Sequence, residues 1–188
     1  MNRSNIGSAN PAEQDVPGPV STPPNLTAVW EALAAVPDPE VPVVSVVELG
    51  LIRHVAWDNR ELVVHLTTTY SGCPAAEMIR KLIYEQLAAL GVAHVKLVTK
   101  LAPAWSTDWI APEAKPKLRA YGIAPPHLTA ARIDVTGISP LRRGNVSVPC
   151  PLCGSSRTSL LSQFGSTACK AQYRCDSCLE PFDYFKPH

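Results

Sequence analysis

The sequence has no long apolar run, no secretory signal and almost no net charge. None of its apolar stretches approaches the ~18 residues that a membrane-spanning helix needs. The proline-rich start of the chain contains no apolar core of the kind that a signal peptide requires. We therefore expect a cytoplasmic protein that does not bind membranes. A net charge of +1 also gives no overall attraction to nucleic acids or to anionic lipids.

Disulfide bonds are not expected either. Thiols stay reduced in the cytosol, so the six cysteines are interpreted as metal ligands or reactive groups. Hydrophobic residues make up 46% of the chain, which is enough for a packed core. A length of 188 residues allows one or two domains.

Four segments follow one another along the chain. Residues 1–24 are rich in proline, serine and asparagine, and we predict a disordered leader. Residues 25–122 show the order helix, strand, strand, helix, strand, helix, which predicts a compact α+β domain with helices on a small mixed sheet. Residues 123–148 are predicted to be a linker, and residues 149–188 a small β module.

Periodicity predicts the bounds of the elements in the α+β domain. The apolar positions recur with a spacing of three to four in helices and of two in strands. The predicted elements, in chain order, are a helix over 26–33, strands over 51–57 and 61–68, a helix over 74–90, a strand over 92–101 and a helix over 112–121.

Cys73 is the candidate around which the α+β domain is organised, because it separates a strand from a long helix. Gly72 allows the tight turn that leaves the strand, and Pro74 suits the first position of a helix. Cys73 is then expected beside the helix N-terminus, where free N–H groups and the positive end of the dipole favour a thiolate. That form attacks electrophiles and binds metals.

Two carboxylates lie in a proline-rich loop upstream of this cysteine. Three prolines in six residues fix the backbone around Asp38 and Glu40. Both side chains are candidate bases or cation ligands; the alternative is that they are solvated turn residues, as most such carboxylates are. We expect this loop, the turn before Cys73 and the loop Trp105–Trp109 to meet at one edge of the sheet.

The C-terminal segment carries two C-x2-C pairs, Cys150 with Cys153 and Cys175 with Cys178. Each pair aims two thiolates at one point, and two pairs supply the tetrahedral sulfur set that zinc prefers. So short a module cannot build much of a core, and we expect the metal to hold it together. Structural zinc is the expected metal; iron or a cluster is the alternative, because four thiolates bind either.

Three aromatic residues offer this module its small core: Phe182, Tyr184 and Phe185. A fifth thiol, Cys169, lies outside the two pairs. It is either a small apolar filler or a reactive, metal-passing thiol helped by Lys170. The module has too few cations for a nucleic-acid interface, so docking on a protein partner is the expected role.

Three motifs of the α+β domain are Asp38-Pro39-Glu40-Val41-Pro42, Glu48-Leu49-Gly50-Leu51-Ile52 and Thr69-Tyr70-Ser71-Gly72-Cys73-Pro74. Over residues 26–121 they resemble the metal–sulfur cluster assembly domain family, which includes SufT and the MIP-type iron–sulfur targeting factors. The loop over 105–110, the run over 164–171 and the four-cysteine pattern resemble the branch of that family that serves phenylacetate degradation.

The resemblance implies an accessory factor for iron–sulfur cluster assembly or insertion, and not an enzyme. The implied client is the multicomponent 1,2-phenylacetyl-CoA epoxidase, chiefly its flavin- and iron–sulfur-containing reductase. Cys73 becomes the functional thiol, with Cys169 as a second thiol and Asp38 and Glu40 as neighbours. One thiolate is a poor permanent cluster site, because stable clusters take about four protein ligands. Iron or a cluster is therefore expected to bind transiently, or to be shared in a homodimer.

Three alternatives stay open at this point. The protein is a non-catalytic structural subunit of the epoxidase if Cys73 is merely packed. It is an independent thiol enzyme if the fold brings a histidine to Cys73, since none is near it in sequence. A nucleic-acid-binding ribbon is the least favoured, for want of positive charge.

Overall fold

The structure is a computed structural model that describes residues 23–70, 72–126 and 147–187. Most of the predicted leader (1–24) and most of the predicted linker (123–148) lie outside the described residues, as does Ser71 of the motif before Cys73. Within the described ranges, no helix has the length and apolar character needed to cross a bilayer.

The described chain confirms the α+β class and the predicted order of the first six elements. The helices are α1 (Leu26–Ala34), α2 (Ala76–Ala89) and α3 (Ala114–Ala120), with a 3-10 turn at Thr107–Trp109 before α3. The strands are β1 (Ile52–Asp58), β2 (Glu61–Leu66), β3 (Val95–Thr99), β4 (Ile123–Ala124), β5 (Thr158–Ser162), β6 (Lys170–Cys175) and β7 (Pro181–Phe185).

The first sheet is mixed, as predicted. Its order is β1-β2-β3, with β1 antiparallel and β3 parallel to the central β2. Alternate residues of β2 (Leu62, Val64 and Leu66) are buried. Helix α2 buries residues at helical spacing, Ile79 and Ile83 among them, in the same hydrophobic cluster. One face of the sheet is thus covered by helices.

Two apolar residues that the periodicity of the predicted strand over 92–101 and the predicted helix over 74–90 would place in the core, Leu101 and Met78, are exposed. Leu101 is 60% exposed because β3 ends at Thr99, so the alternation of the strand does not extend to it. Met78 is 48% exposed because its neighbour Ile79 occupies the buried stripe, and successive helical residues point about 100° apart.

The second sheet joins the two parts of the chain. Its order is β4-β7-β6-β5, and β4 pairs in parallel with β7. Strand β4 comes directly after α3, from the start of the segment that the sequence assigned to a linker. The C-terminal module therefore borrows one short strand from the chain that leaves the α+β domain.

The hydrophobic core is shared in the same way. Phe185 is 2% exposed and packs in the core of the α+β domain, with its ring centroid 6.0 Å from that of Trp105. The prediction that Phe185 belongs to the core of the zinc module is therefore wrong, whereas Phe182 and Tyr184 do lie there. The reason is the strand period: Phe182 and Tyr184 share one face of β7, and Phe185 points to the opposite face.

Gly50 positions the loop that contains both tryptophans. Its φ is +67°, and a Cβ atom on it would lie 2.6 Å from the carbonyl oxygen of Trp109. The guanidinium carbon of Arg53 lies 3.4 Å from the centroid of the Trp109 ring, in a cation–π contact. Trp105 Nε1 donates a hydrogen bond of 2.9 Å to the Leu49 carbonyl. The loop thus closes the end of the core.

Gly50→Ala should lower the free energy of unfolding by at least about 3 kcal/mol, because left-handed strain and overpacking against Trp109 add together. Gly91→Ala is the matched control, since Gly91 also has a positive φ (+89°) but nothing lies within 4 Å of its added Cβ. It should cost only the strain, about 1 kcal/mol. Urea unfolding of both variants measures the difference, and equal losses would show that the contact with Trp109 is unimportant.

Candidate thiol pocket and metal centre

One small cavity brings together the four residues that the sequence analysis singled out around the thiol: Cys73, Cys169, Asp38 and Glu40 all line it. The remaining lining residues are Val41, Leu49, Leu51, Thr68, Thr69, Ile79 and Phe185. Its volume is about 20 Å³, room for about one water molecule. The juxtaposition is a fact of the fold; the role of these residues stays a prediction.

The loop Trp105–Trp109 does not line this cavity. Trp105 instead lines a neighbouring surface groove with Tyr70 and Leu101. The expectation that three loops meet at one edge of the sheet is therefore correct for the Asp38 and Cys73 segments. The third loop lines the neighbouring groove and not the cavity itself.

Cys73 lies just before the helix and not at its N-cap. Helix α2 begins at Ala76, Ala75 is its N-cap, and the Ala76 N–H donates to the Cys73 carbonyl over 3.2 Å. The expected placement of Pro74 in the first helical position is thus off by two residues. The thiol still benefits from the helix start, because its sulfur accepts a hydrogen bond from the Ala75 N–H.

The prediction that this setting favours a thiolate is wrong for the conformation seen here. Burial of Cys73 raises the pKa of its thiol, and the Ala75 N–H opposes this only in part. The carboxylates of Glu40 and Asp38 raise the pKa further. The loss of water around a half-buried sulfur outweighs the amide at the helix start, so the thiol form is favoured.

Asp38 is held by its own loop. It is 7% exposed, and its Oδ1 accepts hydrogen bonds from the N–H groups of Glu40 (2.8 Å) and Val41 (2.9 Å). Burial raises the pKa of Asp38, and these two hydrogen bonds act against it. Burial also raises the pKa of the half-buried Glu40, to which the Asp38 charge adds. Asp38 is therefore not a solvated turn residue.

The C-terminal module contributes the second thiol. Cys169 precedes β6, is 5% exposed, and its sulfur lies 3.0 Å from the Thr167 hydroxyl oxygen. Burial raises the pKa of this thiol. Its neighbour Lys170 is 4% exposed, and Nζ lies 3.3 Å from Asp183 Oδ2. The Lys170 charge acts on Asp38 and Glu40 as well, where it lowers the pKa.

Phe185 lines the pocket and the charge of Lys170 acts on its carboxylates, and neither residue was among the predicted site residues. Lys170 follows Cys169 directly, which is the only signal that the sequence offered. Lys170 and Phe185 are buried because the C-terminal module packs against the α+β domain. No local sequence pattern encodes that contact.

No histidine is among the described residues that line the pocket. His54 and His65 lie together on neighbouring strands of the first sheet, with ring centroids 5.3 Å apart, and His94 is exposed before β3. Among the described residues the pocket therefore lacks the imidazole base that an independent thiol enzyme was expected to use, and His127 lies outside them.

The second site is formed by Cys150, Cys153, Cys175 and Cys178. Their sulfur atoms all lie within 4.8 Å of one another, and among the described residues no other group of three or more His, Cys, Asp or Glu side chains comes so close. The pocket residues are thus not a preassembled metal site in this conformation.

The four-cysteine geometry fits a tetrahedral ion. The Cys150–Cys178 sulfur distance is 3.8 Å and the Cys153–Cys175 distance is 3.5 Å, close to the ~3.8 Å edge of a tetrahedron with Zn–S bonds of about 2.3 Å. The N–H groups of Cys178 and Ser177 donate to the Cys175 sulfur and lower the pKa of that thiol to about 6, whereas burial and the neighbouring cysteine side chains raise the pKa of Cys178 to about 12. A bound metal ion would displace the remaining thiol protons.

Comparison with known proteins identifies both parts of the chain. Residues 26–99 match the model of the iron-sulfur cluster assembly protein family, and residues 137–186 match that of the PaaD zinc beta ribbon domain. An Escherichia coli (strain K12) protein, provisionally named as one of the subunits of 1,2-phenylacetyl-CoA epoxidase, is 46% identical over 166 residues, which cover 87% of this chain and 94% of that protein. The chain belongs to the PaaD family of phenylacetyl-CoA epoxidase subunits. This confirms the resemblance that the motifs indicated.

Two solved structures are similar to about half of the chain. A domain of unknown function, DUF59, from Bacillus anthracis is 32% identical and covers 49% of this chain and 89% of that one, with a TM-score of 0.46. A conserved hypothetical protein from Thermotoga maritima is 30% identical and covers 52% and 97%, also with a TM-score of 0.46. The family assignment rests on the sequence comparisons.

The thiol pocket straddles the two regions that match family models. Asp38, Glu40 and Cys73 fall in the iron-sulfur cluster assembly region, whereas Cys169 falls in the PaaD zinc ribbon. The candidate site in this PaaD-family chain is therefore composite, and neither region alone contains both thiols.

Asp38→Asn should raise the free energy of unfolding at pH 7, by about 1 kcal/mol. The raised pKa of Asp38 means that its ionised form opposes folding, so its favourable contribution is present at low pH and is lost as pH rises through the folded-state pKa. The amide keeps an oxygen that accepts both loop hydrogen bonds. Urea midpoints should differ from wild type at pH 7 and converge as the pH approaches 4.

Asp108→Asn is the control for this experiment. Asp108 is exposed, so its substitution should leave the midpoint unchanged at both pH values. A less stable Asp38→Asn variant at pH 7 would contradict the view that the buried charge is costly here.

Proposed function

We propose that this protein is an accessory factor that assists iron–sulfur cluster assembly or insertion on phenylacetyl-CoA epoxidase, and not one of its catalysts. The observation that carries the proposal is the meeting of two thiols and two carboxylates in one cavity. The match of residues 26–99 to the iron-sulfur cluster assembly family supports iron or an iron–sulfur cluster as the cargo that the protein carries. The name of the Escherichia coli relative supports phenylacetyl-CoA epoxidase as the client that receives the cluster.

The pocket chemistry suits a cargo that binds and leaves. Cys73 and Cys169 offer soft sulfur ligands, and Asp38 and Glu40 offer hard oxygen ligands, a combination that suits iron. Two thiols are fewer than the four that hold a permanent cluster, and the groups are not preassembled around a point. Further ligands would come from the client or from a second copy of the chain.

Proton release accompanies binding in this scheme. Burial raises the pKa of both thiols, so each gives up a proton when its sulfur binds iron. The buried Lys170 ammonium then offsets part of the negative charge that the thiolates add beside Asp38 and Glu40. When the cargo leaves, the thiols take up protons again, which favours its release.

The chief partner that we propose is the reductase subunit of the epoxidase, because it carries the flavin and the ferredoxin-type cluster. The two proteins would meet in the cytoplasm. The four-cysteine site would hold zinc in a structural role. The sulfur geometry and the match to the PaaD zinc ribbon support that metal.

A structural subunit of the epoxidase is the second candidate. It is favoured by the partial burial of Cys73 and the raised pKa of its thiol, which is what a packed thiol would show. The two candidates differ in whether the thiol itself is needed.

Cys73→Ser should lower the iron and acid-labile sulfide content of co-expressed reductase to the level found without this protein, because the hydroxyl is a poor ligand for iron. Epoxidase activity in cells should fall in parallel. Glu40→Gln should give a partial loss, and Glu77→Gln is its matched control, since Glu77 is an exposed carboxylate in the first turn of α2. Unchanged cluster content with Cys73→Ser would favour the structural subunit.

Purified protein should contain one zinc ion per chain and little iron, as measured by plasma mass spectrometry. Cys150→Ser should abolish binding, because it removes one corner of the sulfur tetrahedron. Cys169→Ser should retain the ion, because this thiol is not one of the four. Iron in place of zinc in protein purified without oxygen would contradict the assignment.

A further inference from the structure

The β6–β7 hairpin connects the four-cysteine site to the thiol pocket. Its turn carries Cys175 and Cys178, which belong to the metal site. Its open end carries Cys169 and Phe185, which line the pocket. Lys170 pairs with Phe185 across the two strands at this end, so the hairpin is continuous from one site to the other.

The open end of the hairpin is bonded firmly across the strands and into the α+β core. The Lys186 N–H donates a hydrogen bond of 3.0 Å to the Cys169 carbonyl, which closes the ladder beyond β6 and β7. Cys169 and Phe185 both belong to the hydrophobic cluster of the α+β domain. They form the wall of the pocket that faces Cys73 and Asp38 from the C-terminal module.

The turn end of the hairpin has little besides metal ligands to hold it. The second hydrophobic cluster consists of Ala124, Val148, Cys150, Ala171, Cys175, Phe182 and Tyr184, and two of these seven residues are themselves ligands. So small a core leaves folding of the ribbon dependent on the ion. Strands β6 and β7 run from the metal ligands to Cys169 and Phe185, so the order of the ribbon bears on where these two residues lie.

We infer that the metal in the four-cysteine site keeps the wall of the thiol pocket in place, with Cys169 and Phe185 as its positioning residues. The ribbon is then part of the site and not only a docking module. Loss of the ion frees the hairpin, withdraws the second thiol and uncovers Cys73. The inference deepens the proposed function, on which its biological meaning rests, because it makes the two-thiol pocket conditional on the metal state of the ribbon.

The test measures how fast iodoacetamide alkylates Cys73 in the full chain, resolved by peptide mass spectrometry. Protein with its ion is compared with protein stripped by a chelator, and with stripped protein given zinc again before alkylation. Stripping should accelerate alkylation of Cys73 severalfold and that of Cys169 more, because Cys169 starts at 5% exposure. Restored zinc should restore the slow rates.

Phe185→Ala separates the wall from the metal. It shortens the wall and leaves the four cysteines intact, so the ion content should stay at the wild-type value while Cys73 reacts faster. Phe164→Ala is the matched control in the same module, because Phe164 is 67% exposed and absent from the pocket lining. It should change neither quantity.

Slow alkylation of Cys73 in stripped protein would overturn the inference, and so would an unchanged rate in folded Phe185→Ala. If Phe185→Ala does not fold, the chelation and zinc-return experiment on wild-type protein decides alone. Neither measurement contains iron, a cluster or the reductase. A failed assembly role in the Cys73→Ser experiment would therefore leave this result standing, and the reverse also holds.

Discussion

The site depends on the burial of one end of the C-terminal hairpin in the core of the α+β domain. Phe185 and Cys169 pack there with Trp105 and the residues around Cys73. A fully buried aromatic side chain contributes several kcal/mol, so this contact is a main link between the two modules. Without it the α+β domain would present a lone thiol in an open groove, and the ribbon would present an exposed phenylalanine.

Burial also decides the electrostatics of the pocket. It raises the pKa of both thiols and of both carboxylates, and the nearby N–H groups and the Lys170 ammonium recover only part of that cost. A pocket of this kind favours neutral thiols. A bound cation reverses the balance, because it stabilises the same anions that burial disfavours.

Much of the fold could be predicted because it is encoded locally. The alternation of Leu62, Val64 and Leu66 identifies a strand, and the spacing of Ile79, Ile83 and Leu87 identifies the long helix. Bounds were less accurate. Pro74 led us to start the long helix two residues too early, since α2 begins at Ala76. The alternation of apolar residues led us to extend the third strand to Leu101, although β3 ends at Thr99.

The sequence by itself determined the four metal ligands and the class of the α+β domain, because a C-x2-C pair and a strand or helix period each depend on a few consecutive residues. It also singled out Cys73, Cys169, Asp38 and Glu40 and predicted that the Asp38 and Cys73 loops meet, but not that Cys169 joins them in one cavity. Only the tertiary structure decided that, together with the burial of Lys170 and the raised pKa of the Cys73 thiol. The physical reason is that these properties arise where residues nearly a hundred positions apart exclude water from one another, and no local pattern reports that contact.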